Sequence, residues 1–87
     1  MREDINNRLK KIIFDRMKID MDEVADEDKD YTFFHPMFGF SSTDMLYIFF
    51  DVEKEFDIKI PETDINENRF SSFNSIADII EEQLTTK

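Results

Sequence analysis

The chain has 87 residues, enough for one small domain, and carries 21 Asp and Glu against 11 Lys and Arg, a net charge of −10. This acidity disfavours nucleic acids and anionic membranes as partners, because both repel negative charge, and favours a basic patch on another protein. The chain has no cysteine, which excludes disulfides, thiolate metal sites and cysteine nucleophiles. No apolar run approaches the roughly 20 residues that span a bilayer, and no signal-peptide core is present. We therefore expect no membrane insertion and a cytoplasmic location.

The apolar content supports a small core. Forty per cent of the residues are apolar, and ten of them are Phe. This content argues against intrinsic disorder, which combines high charge with low hydrophobicity. A chain of this length buries only about 60% of its unfolded surface. With no internal repeat and no Gly/Ser linker, residues 1–87 are predicted to form a single domain, and we expect a monomer.

Residues 2–18 show the period of an amphipathic helix. Its apolar face comprises Ile5, Leu9, Ile12, Ile13 and Met17. Residues 20–31 hold seven acids and one Lys with no apolar period, which predicts a solvated loop. Residues 32–41 combine four Phe with Pro36 and Gly39, which indicates a loop that packs against the core.

A second helix is predicted from Ser42 to about Asp57. Ser41 and Asp44 have the spacing of a capping box, with Ser41 as N-cap. The apolar residues of this helix are Met45, Leu46, Ile48, Phe49, Val52 and Phe56. Phe49 and Phe50 are adjacent, so their side chains cannot both point to the same face of the helix. Either the helix is buried on a broad face or one of the two rings is exposed at a contact surface.

The remainder of the chain is also predicted to be mainly helical. Residues 58–61 read as short and extended because Pro61 disfavours helix before it. Residues 62–68 could form one helical turn. A last helix begins at Ser72 or Asn74, with Ile76, Ile79, Ile80 and Leu84 facing the core. No segment alternates as a strand does. The prediction is an all-α four-helix bundle, with three main helices, one short helix and a long loop after the first.

Neither a metal site nor a catalytic residue is predicted. An EF-hand requires Gly at loop position 6 and Glu at position 12. Counting from Asp20 places Ala25 and Tyr31 there, and counting from Asp26 places Tyr31 and Met37. His35 is the only histidine, so it has no partner for a zinc site. We interpret it as a loop residue and expect no enzymatic activity of the chain on its own. One weak alternative for the function is a calcium-responsive acidic protein.

Residues 39–64, GFSSTDMLYIFFDVEKEFDIKIPETD, resemble acyl carrier proteins. In that family a Gly-x-Asp-Ser-Leu motif opens the second helix, which ends in a Leu-Glu-x-x-Phe-x-x-x-Ile-Pro stretch. The matching residues here are Glu53, Phe56, Ile60 and Pro61. Counting back without a gap places Ser42 on the phosphopantetheine serine and Gly39 on the motif glycine. The resemblance covers roughly residues 5–84 and implies the same order of helices.

Further positions agree with the resemblance and two depart from it. Phe34 and Phe38 match loop positions before the serine, and Ser72-Phe73 falls where the family opens its last helix. Ser41 stands where the family has Asp, and Thr43 where it has Leu. The resemblance implies a 4′-phosphopantetheine arm on Ser42, attached by a phosphopantetheinyl transferase, and these two positions help that enzyme recognise its carrier.

Two interpretations of the serine pair remain open. A phosphate on Ser42 would lie in the first turn of the helix, where unpaired N–H groups and the helix dipole favour negative charge. Serine is also among the best N-cap residues, so Ser41 and Ser42 could serve only as caps. The arm would supply the thiol that this cysteine-free chain lacks.

The second helix is then the expected docking surface. The residues implied are Asp44, Leu46, Tyr47, Phe50, Asp51 and Glu53. The acids would either meet basic patches on pathway enzymes or form only a solvated helix face, and Leu46 and Phe50 would supply the apolar contacts among them. Tyr47 replaces a residue that is often acidic in the family. The first helix is basic and is not expected to share this role.

The sequence thus predicts a carrier that holds an acyl or aminoacyl intermediate as a thioester. It would serve a fatty-acid, polyketide, nonribosomal-peptide or peptide-modifying pathway. The alternative is a carrier-like interaction module without the arm that binds a partner through its second helix. In the family the cargo lies in a cleft between helices. We expect Phe33, Phe38 and Phe49 to fill that cleft and disfavour a long acyl chain.

Overall fold

The chain folds into α-helices joined by loops and short turns. In the computed structural model, which describes residues 1–86 apart from the Asn66 side chain, the helices are α1 (Arg2–Met17), α2 (Ser42–Phe56), α3 (Glu62–Asn66) and α4 (Phe73–Thr85). The described residues form no strand, and β-pairing among them is limited to an isolated bridge between Thr32 and Ser72. The predicted all-α fold is confirmed. Within residues 1–86, no helix has the length and apolar character needed to cross a bilayer.

The core forms where the apolar faces of α1, α2 and α4 meet. Helix α1 buries residues spaced four apart, and α2 and α4 bury residues spaced three or four apart, which is one face of a helix. These residues are Ile5, Leu9 and Ile13 of α1, Met45, Ile48, Val52 and Phe56 of α2, and Phe73, Ile76, Ala77, Ile79 and Ile80 of α4. Ile58 and Ile60 of the following segment are also buried. The predicted core faces are confirmed at these positions, while Ile12, Met17 and Leu84 are only partly buried and Leu46 is exposed.

Both α2 and α4 begin with a capping box. The Asp44 N–H donates to Ser41 Oγ at 3.2 Å, and the Ser41 N–H donates to Asp44 Oδ2 at 2.9 Å. Ser72 and Ser75 form the same reciprocal pair at α4, with distances of 3.1 and 3.0 Å. Each box satisfies N–H groups that a helix leaves unpaired. The predicted start of α2 is confirmed, and Ser72 rather than Asn74 is the cap of α4.

The acidic segment after α1 differs from the predicted solvated loop. It contains two 3₁₀ turns, Met21–Glu23 and Asp26–Asp30, and Met21 is buried in the core. Val24 packs beside that core, and its N–H donates to the Met21 carbonyl at 3.2 Å. Residues three apart lie on the same side of a 3₁₀ turn. Two apolar residues among seven acids therefore pack this segment against the core, although they are too few to produce a visible period.

An ion pair joins this segment to α1. Lys10 Nζ lies 2.7 Å from Asp22 Oδ1, and this hydrogen bond lowers the pKa of Asp22 below its ordinary value. The ion pair is present while Asp22 is ionised and is lost as the pH falls through that lowered pKa. We expect Lys10→Gln to return the Asp22 pKa towards the ordinary aspartate value, measured by NMR titration of the carboxyl carbon. An unchanged pKa would show that the contact does not persist in solution.

Residues 32–41, the aromatic loop, precede α2 and are hydrogen-bonded to the segment just before α4. The Phe33 N–H donates to the Ser71 carbonyl at 2.6 Å, and the Phe40 N–H donates to the Phe33 carbonyl at 3.0 Å. The Phe33 and Phe40 rings stack with centroids 4.6 Å apart. Gly39 has φ +68°, a left-handed conformation that glycine adopts without strain. The prediction that this loop packs on the core is confirmed, and the packing sets the position from which α2 starts.

Candidate functional site

Ser42 is the first residue of α2, and its side chain is exposed. Within the described part of the chain, no hydrogen bond engages its hydroxyl, whereas the Ser41 hydroxyl accepts the Asp44 N–H. The two serines thus differ: the Ser41 hydroxyl caps the helix, and the Ser42 hydroxyl is exposed and makes no hydrogen bond within the described residues. The sequence left open whether both served only as caps, and the capping role falls to Ser41 alone.

An apolar cavity of about 270 Å³ opens beside Ser42. It lies where three parts of the chain meet: the aromatic loop, α2, and the α3 region, which comprises α3 and the residues after it up to position 70. Its lining consists of Ser42, Phe34, Met45, Leu46, Phe49, Ile65, Asn68 and Phe70. The rings of Phe49 and Phe70 meet edge to face, with centroids 5.6 Å apart and planes inclined by 72°. Three aromatic rings and three aliphatic side chains therefore surround a space within reach of the serine.

Sequence reasoning placed different rings in the cleft. Phe49 does line the cavity, but Phe33 is fully buried and Phe38 packs against it edge to face, with centroids 5.1 Å apart. Neither Phe33 nor Phe38 lines the cavity. Phe34 and Phe70 take those places instead. Phe70 lies 28 residues after Ser42 in a non-helical segment, so no periodic signal connects the two.

The three apolar residues of the predicted docking surface are accessible. Leu46, Tyr47 and Phe50 are 51%, 47% and 55% exposed. Phe49 is half-buried, and its ring meets that of Phe50 edge to face with centroids 5.6 Å apart. Of the adjacent pair, Phe49 turns inward and Phe50 outward, which selects the second option left open by the sequence. Together Leu46, Tyr47 and Phe50 form an exposed apolar surface on α2.

The three acids of the predicted docking surface all have partners within the chain. Asp44 accepts the Ser41 N–H, and Glu53 Oε2 accepts the Ile60 N–H at 2.9 Å. Asp51 receives both its hydrogen bonds from Arg16 of α1, each at 3.0 Å. A carboxylate that already accepts hydrogen bonds is less available to a partner, because docking would compete with those contacts.

Helix α1 supplies a second arginine to α2. Arg8 Nε donates to Glu55 Oε2 at 2.9 Å, and this hydrogen bond raises the pKa of Arg8. The Arg8 guanidinium also covers the Phe56 ring at 4.3 Å, and that of Arg16 lies 5.0 Å from the centroid of Tyr47. The first helix is therefore an electrostatic partner of the second, a relation that the separate charge counts of the two helices did not reveal.

His35 lies on the surface of the loop before α2. His35 is exposed, stacks on Tyr31 with centroids 5.1 Å apart, and accepts the Met37 N–H at Nδ1. Among residues 1–86, no three His, Cys, Asp or Glu side chains are grouped so that they could hold a metal ion. The site is consequently described by Ser42, the cavity and the exposed surface of α2.

No protein-family model matches the sequence, and a search of curated proteins finds no relative.

Proposed function

We propose that the protein is an acyl carrier-like protein that holds an acyl or aminoacyl group as a thioester on a 4′-phosphopantetheine arm attached to Ser42. The observation that supports this most directly is the exposed, unengaged Ser42 hydroxyl at the start of α2, beside an apolar cavity. The Gly39-to-Ser42 and Glu53-to-Pro61 resemblance to carrier proteins points to the same serine. The chain itself is proposed to have no catalytic activity.

The location suits a phosphodiester. The first N–H groups of an α-helix lack intrahelical partners, and the helix dipole favours negative charge there. The capping box engages the N–H of Asp44 and leaves Ser42 and Thr43 ahead of it in the first turn. A phosphate on Ser42 would lie against those N–H groups. The arm supplies a thiol, which the cysteine-free chain lacks.

The proposed partners follow from this role. A phosphopantetheinyl transferase would attach the arm by letting the Ser42 oxygen displace the nucleotide part of coenzyme A at phosphorus. Enzymes of a fatty-acid, polyketide, nonribosomal-peptide or peptide-modifying pathway would then load and unload it, in the cytoplasm. Since the α2 acids are engaged within the chain, the exposed Leu46 and Phe50 are proposed to carry much of the docking energy.

Intact-mass measurement tests the carrier function. After incubation with coenzyme A and a promiscuous transferase, we expect a mass increase of one phosphopantetheine on the wild-type chain and none on Ser42→Ala. Ser41→Asn is the matched control, because asparagine caps helices as well as serine does and removes only the neighbouring hydroxyl. This variant should still gain the arm. No mass increase on the wild type, or an increase that persists in Ser42→Ala, would refute the proposal.

An arm-free interaction module is the second candidate. It is favoured by the exposed surface of Leu46, Tyr47 and Phe50 and by Ser41 and Thr43, which depart from the carrier motif. In this case a partner purified with the chain should bind Ser42→Ala as well as wild type and should be lost with Phe50→Ala. Binding that requires the modified serine would favour the carrier instead.

A further inference from the structure

The cavity beside Ser42 is shallow. Its most buried lining residues, Met45 and Phe70, still expose 6% and 8% of their surface. Ile48 and Val52 occupy the next turns of α2 and are fully buried, and neither contributes to the lining. None of the fully buried core residues lines this cavity, which opens at the surface beside Ser42.

The volume of the cavity matches a ring better than a chain. A buried apolar cavity of about 150 Å³ is large enough to bind benzene. At about 270 Å³, this cavity has room for one such ring together with the few atoms that attach it. A long straight chain would need a channel that continues inward, and no fully buried core residue lines this cavity.

The walls also favour an aromatic occupant. Phe34, Phe49 and Phe70 contribute three rings, and Phe49 and Phe70 already meet edge to face. Aromatic rings attract one another in edge-to-face and offset arrangements beyond the effect of buried area alone. A fourth ring packed against these walls would gain such contacts, whereas an aliphatic chain would gain only burial.

We propose that this cavity binds an aromatic acyl group carried on the Ser42-linked arm, in preference to a long straight acyl chain. The inference rests on the proposed carrier function, because the arm is what brings the group to the cavity. Ser42 is itself part of the lining, so a flexible arm that folds back presents its cargo at high local concentration.

Chemical attachment of an arm tests binding to the cavity without a transferase, so it can be judged separately from the carrier function. The chain has no cysteine, so Ser42→Cys creates one thiol that can be alkylated without any transferase. Three haloacetamide reagents of equal linker length are attached in turn, ending in an amide alone, a benzoyl group or a decanoyl group. Failure of the enzymatic mass test would refute the carrier function and leave this measurement of the cavity intact.

The readouts are the melting temperature and the methyl signals of Met45 and Ile65 in NMR spectra. We expect the benzoyl arm to raise the Tm by about 4 °C over the bare arm and to shift both methyl signals through its ring current. The decanoyl arm should produce a smaller rise. A benzoyl arm that behaves as the bare arm does, or a decanoyl arm that stabilises more, would overturn the proposal.

Two exposed phenylalanines provide the matched control. Phe34 lines the cavity and Phe14 of α1 does not, yet both are about half exposed. Phe34→Ala should reduce the benzoyl-dependent rise in Tm by at least half, and Phe14→Ala should leave it unchanged. Equal effects of the two substitutions would show that the ring does not occupy the cavity.

Discussion

Phe33→Ala should lower the free energy of unfolding by about 3–5 kcal/mol, the range for truncating a buried phenylalanine. Phe33 is fully buried, stacks on Phe40 at 4.6 Å and meets Phe38 edge to face at 5.1 Å. Truncation of the ring leaves a cavity beside Phe38 and Phe40. Because the loop holds these two rings in place, they cannot easily move to fill that cavity. Small domains have little stability to lose, so a large unfolded fraction is expected at 37 °C. Urea denaturation followed by circular dichroism measures the change.

Phe34, the next residue, provides the matched control for Phe33→Ala. Phe34→Ala makes the same chemical change one position along the chain, but its side chain is 44% exposed. We expect a loss below about 1 kcal/mol, as for most surface substitutions. Equal losses for the two variants would contradict the placement of the aromatic loop. A large loss for Phe34 alone would mean that the two rings exchange places.

The second large effect is expected at a buried carboxylate. The Asp64 side chain is only 8% exposed and lies 2.6 Å from Arg69 Nη1, while Arg69 Nη2 reaches Glu82 of α4 at 2.7 Å. Removing one partner of such a pair leaves the other charge poorly solvated. Because Arg69 itself remains partly exposed, we expect Arg69→Ala to cost about 1–3 kcal/mol in chemical denaturation.

A double substitution tests the physical reason for that loss. If the cost arises from the unpaired Asp64 carboxylate, then adding Asp64→Asn to Arg69→Ala should recover part of the stability. As a comparison, Arg16→Ala breaks the more exposed pair with Asp51 and should cost below about 1 kcal/mol. Strictly additive effects of the two changes at Asp64 and Arg69 would show that their contact contributes nothing.

This ion pair also holds one wall of the cavity. The Arg69 N–H donates to the Asp64 carbonyl at 2.8 Å, and Arg69 precedes the cavity residue Phe70. The contact with Glu82 ties the segment after α3 to α4. Arg69 therefore links α3 to α4 directly before Phe70, whose ring meets that of Phe49.

The electrostatic role of α1 changes how the acidity of the chain is understood. Counted by segment, residues 2–18 are basic and residues 42–57 hold five acids and one Lys. Arg8 and Arg16 join the two helices through Glu55 and Asp51. Charge that the sequence assigned to an external basic partner is thus partly balanced inside the bundle, and the accessible part of α2 is more apolar than its composition indicates.

Local patterns were sufficient for the elements whose signal repeats along the chain. The apolar periods of residues 2–18 and 42–57 predicted α1 and α2, and the Ser41–Asp44 spacing predicted the cap, because each depends on residues three or four positions apart. The 3₁₀ turns after α1 were missed for the same reason. Met21 and Val24 are too few to repeat, and their burial depends on the neighbouring core.

The residues of the proposed site divide along the same line. The resemblance of residues 39–42 to the carrier motif predicted Ser42 as the attachment site, because the whole motif lies within a few consecutive residues. The cavity was decided by tertiary packing. Phe34, Phe49 and Phe70 come together only because the aromatic loop is bonded to Ser71 and Arg69 ties the α3 region to α4. Contacts between segments that distant in sequence carry no periodic signature, so folding alone reveals which rings line the site.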